Sequence, residues 1–339
     1  MMVSLWPVWP FYLFRLLNMN VLITGCAGFI GMHVTLALLS KGINVVGLDN
    51  LNDYYDLQLK IDRLTTIKEH KNFTFIQENV EDLAKIENAL IAHGIDKIIH
   101  LAGQAGVRYS IENPSAYLES NVRGFFSILE FGKKNNIQHI LYASSSSVYG
   151  LSDNRVFNET DSVDRPLSFY AVTKRTNELM AFYYSNAFSL RLTGLRFFTV
   201  YGPWGRPDMA PAIFTESILK KKPIKIFNNG KMSRDFTYIN DVVEGILKVF
   251  NYDHADGDSK YEILNIGNGN PVSLLNFIEL IEANLNLKAI REYLPLQLGD
   301  VQNTHSDTKL ITEKYGYEPK VSIDLGVKNY IEWFKSYYK

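Results

Sequence analysis

The chain has 339 residues, 46% hydrophobic and 21% charged, the composition of an ordinary globular protein long enough for one large α/β domain and a smaller partner. Its 35 Lys and Arg against 36 Asp and Glu, a formal charge of -1, exclude bulk attraction to nucleic acid or to an anionic membrane, so any anion site has to be local. The single cysteine, Cys26, excludes an intramolecular disulfide and suits a reducing cytosol.

Residues 1–18, MMVSLWPVWPFYLFRLLN, are apolar and aromatic, with two prolines and one charge, Arg15. They lack the basic start and small-residue cleavage site of a signal peptide, and they are too short and proline-broken for a membrane span. The expectation is an extension outside the fold, with a membrane-surface anchor as the alternative. From Met19 onward, β-rich runs alternate with longer helical ones. Buried strands are expected at 20–24, 44–48, 73–77, 97–102, 139–144 and 193–198, and helices at 29–42, 57–70, 82–94, 115–136 and 168–187. That alternation predicts βαβ crossovers and a doubly wound parallel sheet.

After about residue 199 the rhythm loosens. The run YGPWGRPDMAP is a loop too rich in proline and glycine for helix or central strand. Mixed signals follow to a terminal amphipathic helix near 322–338, the profile of a smaller domain closing over the sheet. The boundary is expected to be discontinuous: residues 19–198 with about 235–267 form the first domain, and 199–234 with 268–339 the second.

The run TGCAGFIG follows the first strand and opens the first helix, with Gly25, Gly28 and Gly31 at three-residue spacing. A dinucleotide needs this arrangement: a tight turn, a backbone bare enough for a pyrophosphate, and close packing of helix on strand. The helix N-terminus adds amide N–H groups and a partial positive charge. Asp49 ends the second strand eighteen residues after Gly31. A carboxylate there holds both ribose hydroxyls of NAD and repels the 2′-phosphate of NADP, so NAD is the expected cofactor. Cys26 reads as a small residue that fits the loop.

Tyr170 and Lys174, in SFYAVTKRTNELM, share one face of a helix. An ammonium and a nicotinamide ring beside a phenol favour the phenolate, which makes it a usable base. The serine run ASSSSVYG, carrying Ser145, Ser146 and Ser147, follows the fifth strand and so lies at the ligand-binding end of a parallel sheet. A hydroxyl there can bind the oxygen that Tyr170 deprotonates. His33, His70, His93, His139, His254 and His305 show no metal-ligand spacing with acids or Cys26, so no metal is expected, and His100 reads as a packed core residue. The NDYYD run after Asp49 is either plain loop or a cover for the adenosine.

The combination T-G-x-x-G-F-I-G, H-L-A, S-S-S-x-V-Y-G, Y-x-x-x-K and R-x-F-x-V-Y-G-P resembles the extended short-chain dehydrogenase/reductase family, within it the nucleotide-sugar epimerases and dehydratases. The longer strings DNLNDYYD, HLAGQAGVRYSIENP, LRFFTVYGPWGRPDMA, GKMSRDFTYI and LQLGDVQNTHSDT are similar to UDP-glucuronate 4-epimerases, and the likeness runs from Met19 to the C-terminus. The resemblance implies a Rossmann-type first domain that binds NAD and a second that binds a UDP-sugar. It implies Tyr170 as base, Lys174 as its electrostatic partner and ribose donor, and Ser145 as the hydroxyl beside them. It places NAD against Gly25, Gly28, Phe29, Ile30, Gly31, Asp49, Asn50, Asn79, Val80, Leu101, Ala102, Gly103, Asn121 and Phe197. It places the substrate against Val107, Arg108, Thr199, Arg206, Arg234 and Asp300, with Arg234 suited to the diphosphate. Two positions depart from the family pattern: Asn79 stands where Asp is usual, and Gly103 where Ala is common. The resemblance also implies a cytoplasmic homodimer joined through helices such as 115–136 and 168–187, supplying a cell-surface or capsular polysaccharide.

The implied reaction is inversion of C4 of a UDP-sugar through a 4-keto intermediate. If the sugar is a uronate, its 4-keto form is a β-keto acid, and the carboxylate must be held so that its C–C bond does not align with the ketone. Hydroxyls of Ser146, Ser147 and Thr199 are the candidates. The related dehydratases place Asp-Glu where Ser146 and Ser147 stand, which argues against dehydration. Three readings stay open: UDP-glucuronate to UDP-galacturonate; another enzyme on the same scaffold, namely a UDP-glucose or UDP-N-acetylglucosamine 4-epimerase or a UDP-glucuronate decarboxylase; and a non-catalytic NAD-sensing protein.

Overall fold

A computed structural model describes residues 19–151, 156–296 and 301–338, so the expected extension at 1–18 and Asp300 lie outside the described residues. The first half runs β1 (Asn20–Thr24), α1 (Phe29–Leu39), β2 (Asn44–Asp49), α2 (Leu57–Thr65), β3 (Phe73–Gln77), α3 (Leu83–Leu90), β4 (Lys97–His100), α4 (Gly124–Lys134), β5 (His139–Ser145), α5 (Phe169–Phe188) and β6 (Leu192–Phe197). The second half carries β7 (Thr199–Tyr201), α6 (Ala210–Leu219), β8 (Pro223–Ile226), β9 (Ser233–Arg234), β10 (Phe236–Tyr238), α7 (Ile239–Phe250), β11 (Tyr261–Ile266), β12 (Val272–Ser273), α8 (Leu274–Leu285), β13 (Ile290–Tyr293), α9 (Lys309–Tyr315) and α10 (Ile323–Tyr337).

Seven strands form one sheet in the order β11-β6-β5-β4-β1-β2-β3, every neighbouring pair parallel. This is the Rossmann-type doubly wound sheet, with the chain reversing its direction of travel between β1 and β4. All six expected strands form. β4 stops at His100, short of the expected 102, because Leu101 and Ala102 turn to pack on the glycine loop. Although the chain after 199 reads irregularly, 261–266 supplies the sheet's seventh strand, and α7 packs on α1. The remaining short strands pair two by two: β7 with β10, β8 with β13, β9 with β12. One apolar cluster runs from Val21 and Ile23 of β1 through Ile239 and Ile246 of α7 to Phe277 and Phe334, so it supports both parts, and a second, with Leu22, Ile98 and Phe125, is built from the first half of the chain with β11 packed against it.

Two of the expected helices end or break where other hydrogen bonds intervene. α2 ends at Thr65 rather than near residue 70, where the Thr66 hydroxyl donates to the Arg63 carbonyl at 2.6 Å and offers the backbone an alternative to another turn. The expected helix at 115–136 is broken into Pro114–Tyr117, a π turn at Leu118–Arg123, and α4. The π turn holds Asn121, whose side chain is buried in the core. α5 starts cleanly because the Ser168 hydroxyl accepts from the Ala171 amide at 3.1 Å.

Candidate active site

At the end of β1 the chain turns through Gly25, whose φ of +74° suits a residue without Cβ. A Cβ at Gly25 would lie 2.7 Å from the Ala102 nitrogen, and one at Gly31 only 2.0 Å from the Gly25 carbonyl oxygen. The bare positions therefore let the loop after β4 and the start of α1 close on the turn. Gly28 occupies the cap position of α1 with no side chain over the first-turn amides, and Phe29 and Ile30 form that first turn. Thr24 ties the neighbouring loop in: its hydroxyl accepts from the Ala102 amide at 3.2 Å and pairs with His100 Nδ1 at 2.8 Å. His100 itself is buried against Phe125; burial first, then the nearby Lys174, lowers its pKa to about 3.

Asp49 closes β2 beside this loop. One carboxylate oxygen accepts from the Ala27 amide at 3.1 Å and the other from the Leu51 amide at 2.9 Å, leaving lone pairs on both oxygens. Burial raises its pKa, opposed by those amides and by Lys60 and Arg63. Asn50 donates to the side-chain oxygen of Asn79 at 2.9 Å, and Val80 is buried under Gly124. These groups form a continuous rim across the carboxyl ends of β1, β2 and β3.

On the other side of the switch point, Tyr170 and Lys174 repeat at four-residue spacing along α5. Lys174 is 5% exposed and donates to the Ala143 carbonyl at 2.9 Å; burial lowers its pKa to about 8. Two of its three donors stay available. Tyr170 is half-buried. Burial raises its pKa, while Ser145 and Arg206 act to lower it. The Lys174 ammonium donates to Ala143, and Ser145 and Arg206 are the groups that act to lower the Tyr170 pKa. Ser145 caps the short helical turn Ser146–Tyr149 by accepting from the Ser147 amide at 3.1 Å. Phe197 ends β6 paired with Ser145 on one side and Ile266 on the other.

The Gly103 backbone approaches this pair; a Cβ there would meet Asn121 Oδ1 at 2.8 Å and Lys174 Nζ at 3.5 Å. Asn121 was expected as a cofactor contact, but it is 1% exposed and its amide is spent on the protein. It accepts from the Gln104 amide at 2.7 Å and donates to the Gln104 carbonyl and the Thr173 hydroxyl, both at 3.0 Å. Its side chain braces the loop that faces Lys174.

Of the expected substrate residues, Arg206 joins the Tyr170 cluster. Its guanidinium is forked onto Asp208, with Nε at 2.9 Å, and its pKa is raised further although burial opposes this. Val107 lies in the same loop as Gly106, where a Cβ would sit 3.6 Å from Arg206. Thr199 heads β7, with its amide on the Asp235 carbonyl at 3.0 Å. Arg108 lies over the Phe227 ring at 5.1 Å, and Arg234 donates to the Ser233 and Gln302 carbonyls, so these contacts run through the C-terminal part of the chain.

Two buried acids that support the site escaped the sequence reading. Glu178 lies one further turn along the Tyr170–Lys174 face. It receives Arg196 at 2.8 and 2.9 Å and the Ser144 hydroxyl at 2.7 Å, fixing α5 to β5 and β6 at the residues beside Ser145 and Phe197. The repeat of Tyr170, Lys174 and Glu178 every four residues was the available signal. Asp235, fully buried, accepts from the Asn268, Gly269 and Ser306 amides at 2.7, 3.0 and 3.0 Å. Its partners are distant in sequence and no local pattern announces them. Among the described residues, no group of three His, Cys, Asp or Glu is placed to hold a metal ion.

Comparison with known proteins agrees with this geometry. The model of the NAD dependent epimerase/dehydratase family matches residues 21–267. The chain is 45% identical to the protein CapI of Staphylococcus aureus, over 95% of this chain and 100% of that one. It is 42% identical to UDP-glucuronate 4-epimerase 2 of Arabidopsis thaliana, over 95% of this chain and 77% of the plant protein. Among solved structures, UDP-glucuronic acid 4-epimerase from Bacillus cereus, in complex with UDP-glucuronic acid and NAD, superposes with a TM-score of 0.87 at 32% identity, covering 94% of this chain and 99% of that one.

Proposed function

The chain belongs to the NAD dependent epimerase/dehydratase family, and we propose that it is an NAD-dependent isomerase that interconverts UDP-glucuronate and UDP-galacturonate. The observation that carries the chemistry is the convergence of Ser145 and Arg206 on Tyr170, with Lys174 one helical turn away, at the carboxyl end of a sheet whose first turn is glycine-built.

The residues present fit a bound NAD. Gly25, Gly28 and Gly31 leave a cradle that a Cβ would fill, the first turn of α1 with Phe29 and Ile30 offers amides to a pyrophosphate, and Asp49 keeps lone pairs for ribose hydroxyls. Asn50, Asn79 and Val80 sit on the adenosine side. Leu101, Ala102, Gly103 and Phe197 line the approach to the nicotinamide, and Lys174 has spare donors for its ribose. When bound, NAD supplies the hydride acceptor and donor for C4.

The chain's own work is acid–base and positional. Tyr170, as phenolate, takes the proton from the sugar 4-hydroxyl and later returns it to the 4-keto oxygen. The Ser145 hydroxyl holds the same oxygen through both steps. Lys174 stabilises the phenolate once a ligand draws it toward the ring. Ser146, Ser147 and Thr199 orient the C5 carboxylate away from alignment with the ketone, which keeps CO2 in place. Val107, Arg108, Arg206, Arg234 and Asp300 are the remaining substrate contacts we assign, with Arg234 on the diphosphate.

Residues 19–198 with 235–267 are assigned to the cofactor and the rest to the UDP-sugar. A homodimer is proposed on the exposed apolar side chains of Leu118, Phe126, Leu179, Phe182 and Tyr183, which lie on the 118–134 segment and α5 and would be covered by a second copy. No helix among the described residues is long and apolar enough to cross a membrane; we place the enzyme in the cytoplasm, its product feeding a cell-surface or capsular polysaccharide.

The Tyr170→Phe variant tests the assignment of the base. It should lose turnover by about a thousandfold, the size of a general acid–base contribution, while retaining NAD. A variant with wild-type turnover would remove Tyr170 from that role.

A further inference from the structure

Arg63, on α2, is fully buried, and no step above uses it. All five of its N–H donors are engaged. Nε donates to the Trp204 carbonyl at 3.1 Å. One terminal nitrogen donates to the Ala27 carbonyl at 3.2 Å and the Tyr55 hydroxyl at 2.6 Å, the other to the Trp204 and Gly205 carbonyls at 2.6 and 3.3 Å. Its acceptors are thus carbonyls and a phenol, a costly way to bury a cation when a carboxylate would serve.

Those acceptors belong to three segments. Ala27 lies inside the glycine loop, and its amide is the one held by Asp49. Tyr55 belongs to the NDYYD run. Trp204 and Gly205 immediately precede Arg206. Trp204 has a φ of +65°, a left-handed conformation that a bulky residue adopts only under constraint, and Arg63 supplies two hydrogen bonds to its carbonyl. Next to Tyr55, the Tyr54 hydroxyl donates at 3.1 Å to Asp208, the carboxylate that forks Arg206. Lys60, one turn before Arg63, pins the run at its start by donating to the Asn52 carbonyl and side-chain oxygen at 2.6 and 2.7 Å. The NDYYD run thus holds Asp208 through Tyr54 and meets Arg63 through Tyr55, while Arg63 joins the 204–208 turn to the glycine loop.

We propose that Arg63 is a positioning residue that couples the dinucleotide loop to the turn carrying Arg206, so that cofactor binding and UDP-sugar binding strengthen one another. The proposal rests on the assignment of NAD and a UDP-sugar to these two loops. Fixing the Ala27 peptide fixes Trp204 and hence Arg206, and a ligand that orders either loop lowers the cost of ordering the other.

The test is equilibrium dialysis of NAD against the full-length protein, with and without saturating UDP-glucuronate, in wild type, Arg63→Lys and Tyr55→Phe. In wild type, UDP-glucuronate should tighten NAD binding at least fivefold. In Arg63→Lys a single ammonium cannot reach Ala27, Tyr55 and Trp204 together, and the factor should fall to within twofold of one. Tyr55→Phe, which removes one acceptor and serves if the lysine variant does not fold, should give an intermediate factor. A merely structural Arg63 would lower the melting temperature and leave the factor unchanged. A preserved factor in a folded variant, or a wild-type factor of one, overturns the proposal. If wild type fails to bind UDP-glucuronate, the substrate assignment falls instead, and the NAD arm alone decides on Arg63: unchanged NAD affinity in Arg63→Lys overturns its role.

Discussion

Replacing Glu178 by alanine should be among the most destabilising single changes available in this chain. The Glu178 side chain is 0% exposed and that of Arg196 is 3% exposed, and their paired contacts measure 2.8 and 2.9 Å. Alanine leaves the guanidinium with the Tyr149 ring at 4.8 Å and a 3.4 Å contact to the Glu159 carbonyl, and leaves the Ser144 hydroxyl without its carboxylate. Removing one partner of a buried pair costs about 3–5 kcal/mol. That is a large share of a total stability of about 5–15 kcal/mol. At about 2–4 °C per kcal/mol for a large domain, the melting temperature should fall by roughly 10 °C. Because Arg196 is the buried charge left behind, the double variant Glu178→Leu/Arg196→Met should recover at least half of the loss. Thermal and urea unfolding of Glu178→Ala and of the double variant measure this directly. A Glu178→Ala protein that melts within about 2 °C of wild type, or a double variant no better than the single, would refute the reasoning.

Three further outcomes follow from the site's electrostatics. Ser145 acts to lower the Tyr170 pKa against burial, so Ser145→Ala should move the acid limb of the kcat profile to higher pH, as well as slowing turnover; an unmoved limb would separate the two residues. Asp49→Asn removes the charge that opposes a 2′-phosphate and should shift the ratio of NADP to NAD affinity at least tenfold toward NADP, measured by dialysis. Burial raises the Asp49 pKa above its ordinary 3.8, so the folded state binds this proton more tightly than the unfolded one. Its contribution to stability is complete below pH 3.8 and is lost as pH rises through the raised value. The stability of Asp49→Asn relative to wild type should therefore increase across that window in pH-dependent unfolding.

The sheet was legible in the sequence because its strands are short apolar runs spaced by amphipathic helices, a pattern that local periodicity records. The glycine turn, Asp49 and the Tyr170–Lys174 pair were legible because each occupies a fixed offset from an element end. Less visible was the scaffold that holds them. Glu178 meets Arg196 and Ser144 only after α5 lies on the sheet. Asp235 gathers amides from Asn268 and Ser306, and Arg63 spans from Ala27 to Trp204. Such pairings join residues far apart in the chain, so no window of sequence contains both partners. The π turn at Asn121 hid for a related reason: its cause is a tertiary hydrogen-bond set rather than a local propensity. The strands of the second half run two to six residues, and all but β11 span only two to four, too short for a period-two pattern to develop.

The central claim is that these residues invert C4 of a UDP-uronate while keeping its carboxylate. Purified protein saturated with NAD should therefore be incubated with UDP-glucuronate, and separately with UDP-galacturonate, with the nucleotide sugars resolved by chromatography. The account predicts that both reactions converge on the same mixture of the two epimers with no loss of CO2. Formation of a UDP-pentose, or no turnover from either direction, would contradict it.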